Sequence, residues 1–96
     1  MLLKEVKNMI QYNSPSLDLH GLDRLAARIL VNDFIHDNFI MRNERVVIIH
    51  GIGTGILKKE VHKTLKQNKL VESYKLDNFN SGATLVTLKM FDKNDY

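Results

Sequence analysis

The most constraining feature of the chain is Arg45-Val46-Val47-Ile48-Ile49-His50, followed at once by Gly51-Ile52-Gly53-Thr54-Gly55. An unbroken β-branched apolar run bounded by turn residues reads as a buried central strand. Three glycines at alternate positions then turn the chain sharply, and a helix follows. Leu57, Val61 and Leu65 fall four apart on its inner face, Lys59, Lys63 and Lys66 lie outward, and Thr54 is the candidate N-cap. A central parallel-type strand needs neighbours on both sides, so the rest of the chain must supply them.

It does so in order. Leu17-Asp18-Leu19-His20 alternates apolar and polar residues and stops at Gly21, a short strand. Asp23 is an N-cap candidate for a long helix to about Met41, with an inward stripe of Ala27, Val31, Phe34, Asn38 and Met41, flanked by Leu30 and Ile35. Residues 71–77 and 83–90 read as two strands joined by Asn78-Phe79-Asn80-Ser81-Gly82. The order β-α-β-α-β-β predicts parallel strands with right-handed crossovers and a closing hairpin. With only two helices, the expected fold class is α/β, a two-layer sandwich on a mixed four-stranded sheet. Leu3, Val6 and Ile10 have helical spacing, and Asn13-Ser14-Pro15 breaks the chain. The expected organisation is an N-terminal arm or short helix over 1–14, a domain over 15–90 and a tail over 91–96.

Composition narrows the class. Ninety-six residues with 44% hydrophobic content suffice for one core. There is no cysteine, which excludes disulfides and thiolate metal sites and points to a cytoplasmic setting. No segment has signal-peptide or membrane-spanning character, so no membrane partner is expected. The abundance of lysine and asparagine suits an AT-rich bacterial genome. Net charge is only +3, but Lys58, Lys59, Lys63, Lys66 and Lys69 crowd residues 51–70 against Glu60 alone. A local basic face of this kind suits either a polyanion or plain solvation.

Ligands of such sheets bind outside the carboxyl ends of parallel strands. Both candidate strands end there in His-Gly, so His20, His50 and the glycine loop should converge, with Asp18 on the same side as His20. Glycines let backbone amides approach a ligand, and a helix N-terminus favours an anion. Lys58 and Lys59 in the first turn of that helix oppose its dipole, which a bound phosphate would explain. Two imidazoles at one phosphodiester could divide acid and base roles, with Asp18 orienting a ring or holding a cation. The G-x-G-x-G spacing fits neither the dinucleotide fingerprint nor a P-loop. Asp33, His36 and Asp37 share a helical face that reads as solvated surface, and His62 reads as solvent-facing. Phe79 and Tyr74 could stack on bases or cover the edge of the core.

Leu17-Asp18-Leu19-His20-Gly21, then His50-Gly51-Ile52-Gly53-Thr54-Gly55-Ile56-Leu57-Lys58, then Gly82-Ala83-Thr84-Leu85-Val86, resemble in order the Smr (small MutS-related) domain over residues 17–89. The resemblance implies a fold similar to the C-terminal domain of bacterial translation initiation factor three. It also implies nucleic-acid binding, ribosome association in some members, and endonuclease activity in several. Asp18 and His20 match the D-x-H element that the family associates with cleavage, and His50, Gly51 and Gly53 match its second motif. Ile52 departs from the basic residue that many relatives carry there, and the loop before the last strand is short.

The leading expectation is an endonuclease that nicks or cleaves RNA or flexible DNA, with Asp18, His20 and His50 as catalytic residues. Gly51, Gly53, Thr54 and Gly55 would hold the scissile phosphate, and Lys58, Lys59, Lys63 and Arg24 its neighbours. The cofactor stays open between magnesium, manganese and none. The rival is a non-catalytic module that binds nucleic acid or a ribosome, and a phosphometabolite binder comes third. Oligomeric state is not legible.

Overall fold

The computed structural model describes residues 14–90. The expected arm helix and C-terminal tail lie outside these residues. Four strands and two helices follow the predicted order: β1 (Ser16–Asp18), α1 (Arg24–Ile40), β2 (Arg45–Ile49), α2 (Ile56–Gln67), β3 (Val71–Leu76) and β4 (Ala83–Leu88). The sheet order is β1-β2-β4-β3. β1 pairs parallel with β2, placing Asp18 beside Ile49, while β4 pairs antiparallel with both β2 and β3. The fold is the mixed two-layer α/β arrangement that the pattern predicts.

One face of the sheet is buried and the other half-exposed. Val46 and Ile48 of β2 and Val86 and Leu88 of β4 join Ala27, Val31, Ile35, Val61 and Leu65 of the helices in one core, with Leu19 beneath β1. Each Val, Leu or Ile side chain among these, taken fully out of water, contributes roughly 1.5–3 kcal/mol. Val47 and Ile49 are only half-buried. β2 is therefore central in the sheet but covered on one side, because both helices pack on that side; its unbroken apolar run had suggested burial on both.

The α1 cap behaves as read: the Ala26 N–H donates to Asp23 Oδ1 at 2.8 Å. The stripe is rotated from expectation, with Ala27, Val31, Ile35 and Asn38 buried and Leu30 and Met41 exposed. Ile35 wins the core position because its row continues Ala27 and Val31 at steps of four, whereas Phe34 sits half-buried at the edge. Buried Asn38 is satisfied locally. Its Nδ2 donates to the Phe34 carbonyl and its Oδ1 accepts from Asn43 Nδ2, both at 2.8 Å, which ties the end of α1 to the turn before β2. At α2 the N-cap is Gly55 rather than Thr54, with φ 83°; Thr54 Oγ1 receives the Ile56 N–H only at 3.4 Å.

All the loops that matter lie at one end of the sheet. β1 and β2 run parallel and finish there, and the β3–β4 turn returns at the same end, since Ala83 pairs with Ile49. The strand order puts β2 in the middle. Its glycine loop thus has the end of β1 on one side and the 77–82 turn on the other.

Candidate phosphodiester site

Between the ends of β1 and β2 lies a cleft of about 530 Å³ lined by residues 20–24 and 50–58. His20, His50, the whole glycine loop, Arg24 and Lys58 all line it. Lys59 and Lys63 do not; both are exposed along the outer face of α2. Asp18 stands just behind the lining, bonded to His20.

The Asp18–His20 pair is built by strand geometry. Leu17 and Leu19 turn toward the helices, so Asp18 and His20 turn away together. Asp18 Oδ1 accepts the His20 backbone N–H at 3.0 Å and lies 3.0 Å from His20 Nδ1. These contacts, the backbone one first and the ring one second, hold the Asp18 carboxyl below its usual value, so it is ionised at neutral pH. A carboxylate can only accept, so in the neutral ring Nδ1 carries the proton and Nε2 presents a lone pair. The ring is 81% exposed beside the cleft. It is oriented, and its basic nitrogen is accessible.

His50 is different. It is 4% exposed, with Nδ1 2.9 Å from the Gly51 carbonyl and Nε2 2.8 Å from Thr84 Oγ1. His62 Nε2 lies 2.8 Å from the same hydroxyl. With both rings neutral, one arrangement satisfies every group: His62 Nε2–H donates to Thr84, the Thr84 hydroxyl donates to His50 Nε2, and His50 Nδ1–H donates to Gly51 O. Both nitrogens of His50 are thereby engaged under the loop. Both histidines line the cleft, but His20 has an accessible ring nitrogen whereas both ring nitrogens of His50 are hydrogen-bonded.

His62 is likewise no solvent-facing bystander. It packs edge-on to His50 with ring centroids 6.0 Å apart and tilted against Tyr74 at 5.0 Å, so Tyr74 covers the core edge. Desolvation first, then the proximity of His50 and Lys58, lowers the pKa of His62. A histidine that binds its proton less readily when folded stabilises the domain above the unfolded value near 6.5, and that share is lost as pH falls through the folded pKa. Urea midpoints measured at pH 8 and pH 5.5 should therefore drop on acidification. In His62→Gln, whose amide can still donate to Thr84, the drop should be smaller; an identical drop would exclude His62 as its source.

The glycine loop is held open by backbone conformation. Gly51 and Gly55 both have φ 83°, a region costly for other residues. A Cβ added at Gly51 would meet nothing within 4 Å. Gly51→Ala should therefore lose about 1–2 kcal/mol through backbone strain alone, read as a lower urea midpoint with unchanged slope. Gly82 meets the loop from the β4 side, its carbonyl accepting the N–H groups of both His50 and Gly51 at 2.9 Å. Beyond Gly55 the first turn of α2 carries no acidic residue and brings Lys58 to the cleft. Free amides, the helix terminus, Lys58 and Arg24 make the cleft suited to an anion.

Comparison with known proteins agrees with this architecture. The family model described as the Smr domain matches residues 17–89. The chain belongs to the Smr domain family. This Smr domain is similar to part of Endonuclease MutS2 of Clostridium kluyveri, at 31% identity over 87 residues, covering 91% of the chain but 11% of the relative. With Endonuclease MutS2 of Caldanaerobacter subterraneus it shares 37% identity over 75 residues, 78% of the chain and 10% of that protein. It thus spans about a tenth of the length of these relatives. The Smr domain of Thermus thermophilus MutS2 superposes with a TM-score of 0.76 at 27% identity, covering 78% of this chain and 98% of that one. YdaL, a stand-alone small MutS-related protein from Escherichia coli, shares the fold, with a TM-score of 0.75 at 24% identity over 93% of this chain and 78% of its own. No helix among the described residues is long and apolar enough to cross a membrane.

Thr84 and His62 are the members of the site that sequence reasoning missed. The available signal was a hydroxyl residue on the otherwise apolar buried face of β4, where it needs a partner.

Proposed function

We propose that this Smr domain is an endonuclease that cleaves RNA or flexible DNA at a phosphodiester held in the cleft between β1 and β2. The observation that carries this reading is the Asp18–His20 pair, whose free Nε2 stands beside the same cleft as the open glycine loop and Lys58. The backbone amides of Gly53, Thr54 and Gly55 and the side chains of Lys58 and Arg24 donate to the phosphate oxygens and stabilise the charge that builds on them, while the Gly51 N–H is held by the Gly82 carbonyl. His20 Nε2 takes the proton from the attacking hydroxyl, and Asp18 stabilises the imidazolium that results. On RNA, the 2′-oxygen bonds to phosphorus as the P–O5′ bond breaks. The proton passes from the 2′-hydroxyl to His20 and on to the departing 5′-oxygen, leaving a cyclic phosphate and a 5′-hydroxyl. Lys59 and Lys63 extend the positive surface outward from the cleft to flanking phosphates. His50, Thr84 and His62 position the loop.

The test is cleavage of end-labelled single-stranded RNA and of supercoiled DNA with EDTA, magnesium or manganese. Cleavage that survives EDTA supports acid–base catalysis by His20, whereas cleavage only with a divalent ion recasts Asp18 as a metal ligand. Salt-sensitive binding without products would leave the non-catalytic binding module as the function.

A further inference from the structure

The β3–β4 turn carries an aromatic ring in an unusual position. Phe79 is 97% exposed, the most exposed of the large apolar side chains among the described residues. A phenylalanine so placed forgoes the stabilisation that burial of its ring would bring. The turn does not leave it there through looseness. Asp77 Oδ1 accepts the Phe79 N–H at 2.8 Å, Asn80 Oδ1 accepts the Gly82 N–H at 2.9 Å, and Asp77 and Ala83 close the hairpin at 3.0 Å. Two side-chain-capped turns in succession fix the backbone on either side of the ring and hold it out toward solvent.

The same turn abuts the glycine loop. A Cβ at Gly82 would lie 3.3 Å from the Gly51 backbone, and the Gly82 carbonyl receives two N–H groups from the start of that loop. Since β2 lies between β1 and β4, the glycine loop has the end of β1 and the cleft on one flank and the Phe79 turn on the other. Ile52, at the tip of the loop itself, is a second exposed apolar side chain, 70% accessible. The cleft with Lys58 and Arg24 and two exposed apolar side chains, Ile52 and Phe79, thus share one end of the sheet.

We infer that Phe79 is a stacking platform for an unpaired nucleobase next to the phosphate bound by the glycine loop, which makes single-stranded or locally opened nucleic acid the substrate class. This rests on the reading of the cleft as a phosphodiester site. An exposed ring can accept the face of any base, so it selects strand state rather than sequence. In a duplex the base faces are already stacked, and the ring gains nothing there.

The chain contains no tryptophan, so Phe79→Trp introduces a single indole reporter. The experiment titrates wild type, Phe79→Ala and Phe79→Trp with a labelled 12-nucleotide single-stranded RNA, with the same sequence as duplex, and with linear polyphosphate. Phe79→Ala should bind the single strand roughly 5- to 100-fold more weakly, with duplex affinity and the dependence on salt unchanged, because the ring neutralises no phosphate. Phe79→Trp should keep wild-type affinity, its fluorescence quenched by the single strand and not by polyphosphate. Wild type and Phe79→Ala binding the single strand equally, with an unquenched indole, would overturn the stacking inference and leave the phosphodiester site standing. A wild type that binds neither nucleic acid would overturn both.

Discussion

His20→Ala is expected to lower the rate of phosphodiester cleavage by roughly 100- to 10,000-fold, the range for removing a general acid–base group, while affinity for uncleaved nucleic acid is largely retained. The two effects separate because the groups proposed to hold phosphate are the loop amides, Lys58 and Arg24, not the imidazole. The side chain is 81% exposed, so the substitution leaves the core untouched and the variant should fold. Asp18 gives the matching control. Asp18→Ala removes the acceptor that fixes His20 Nδ1–H at 3.0 Å, whereas Asp18→Asn retains a side-chain oxygen for it. Activity should therefore fall further in the alanine variant than in the asparagine one. Equal cleavage by wild type and His20→Ala would remove the catalytic assignment, and an unchanged binding curve would then favour a module that only holds nucleic acid.

The second large effect is on stability. Thr84 is fully buried, and its hydroxyl is shared by His50 and His62 at 2.8 Å each. Thr84→Val keeps the shape but removes the donor to His50 Nε2 and the acceptor for His62 Nε2–H. His62 can turn toward water, but His50 cannot, because its ring is enclosed. Leaving such a buried group unpaired costs about 1–3 kcal/mol, a large share of the 5–15 kcal/mol typical of a domain. Thr84→Ser, which keeps the hydroxyl, should recover most of the loss. Urea unfolding of the three proteins checks this, and a valine variant as stable as wild type would show that the hydroxyl contributes nothing. The valine variant should also cleave more slowly even where it is fully folded, since His50 anchors the Gly51 carbonyl at 2.9 Å.

Much of the architecture was legible because local rules and tertiary packing agree. Asp23 caps α1 as its side chain and position predict, Val61 and Leu65 face inward at helical spacing, and the β-branched run of 45–49 forms the strand at the heart of the sheet. The ends of both parallel strands were also legible, since alternation alone puts Asp18 and His20 on one side and topology brings them to the glycine loop. Two local readings were displaced by packing. The α1 stripe rotated so that Ile35 is buried and Met41 exposed, because several rows of that helix are apolar enough to face a sheet and only the sheet chooses among them. The N-cap of α2 fell on Gly55, which takes a left-handed φ of 83° and offers no side-chain cap, so the hydroxyl of Thr54 lies one residue too early.

What the sequence determined by itself is set by short-range chemistry: which segments are strands and helices, where the glycines turn, and that Asp18 reaches His20 two residues away. What only the tertiary structure decided depends on groups far apart in the chain. His50 and Thr84 are 34 residues apart and His62 and Thr84 are 22, and no local pattern announces that one hydroxyl serves both rings. That contact decides which histidine is free. Two imidazoles that look equivalent in sequence, each closing a strand before a glycine, differ because one strand is at the edge and leaves its ring in water. The other lies between two neighbours, and its ring is enclosed beneath the loop that it supports.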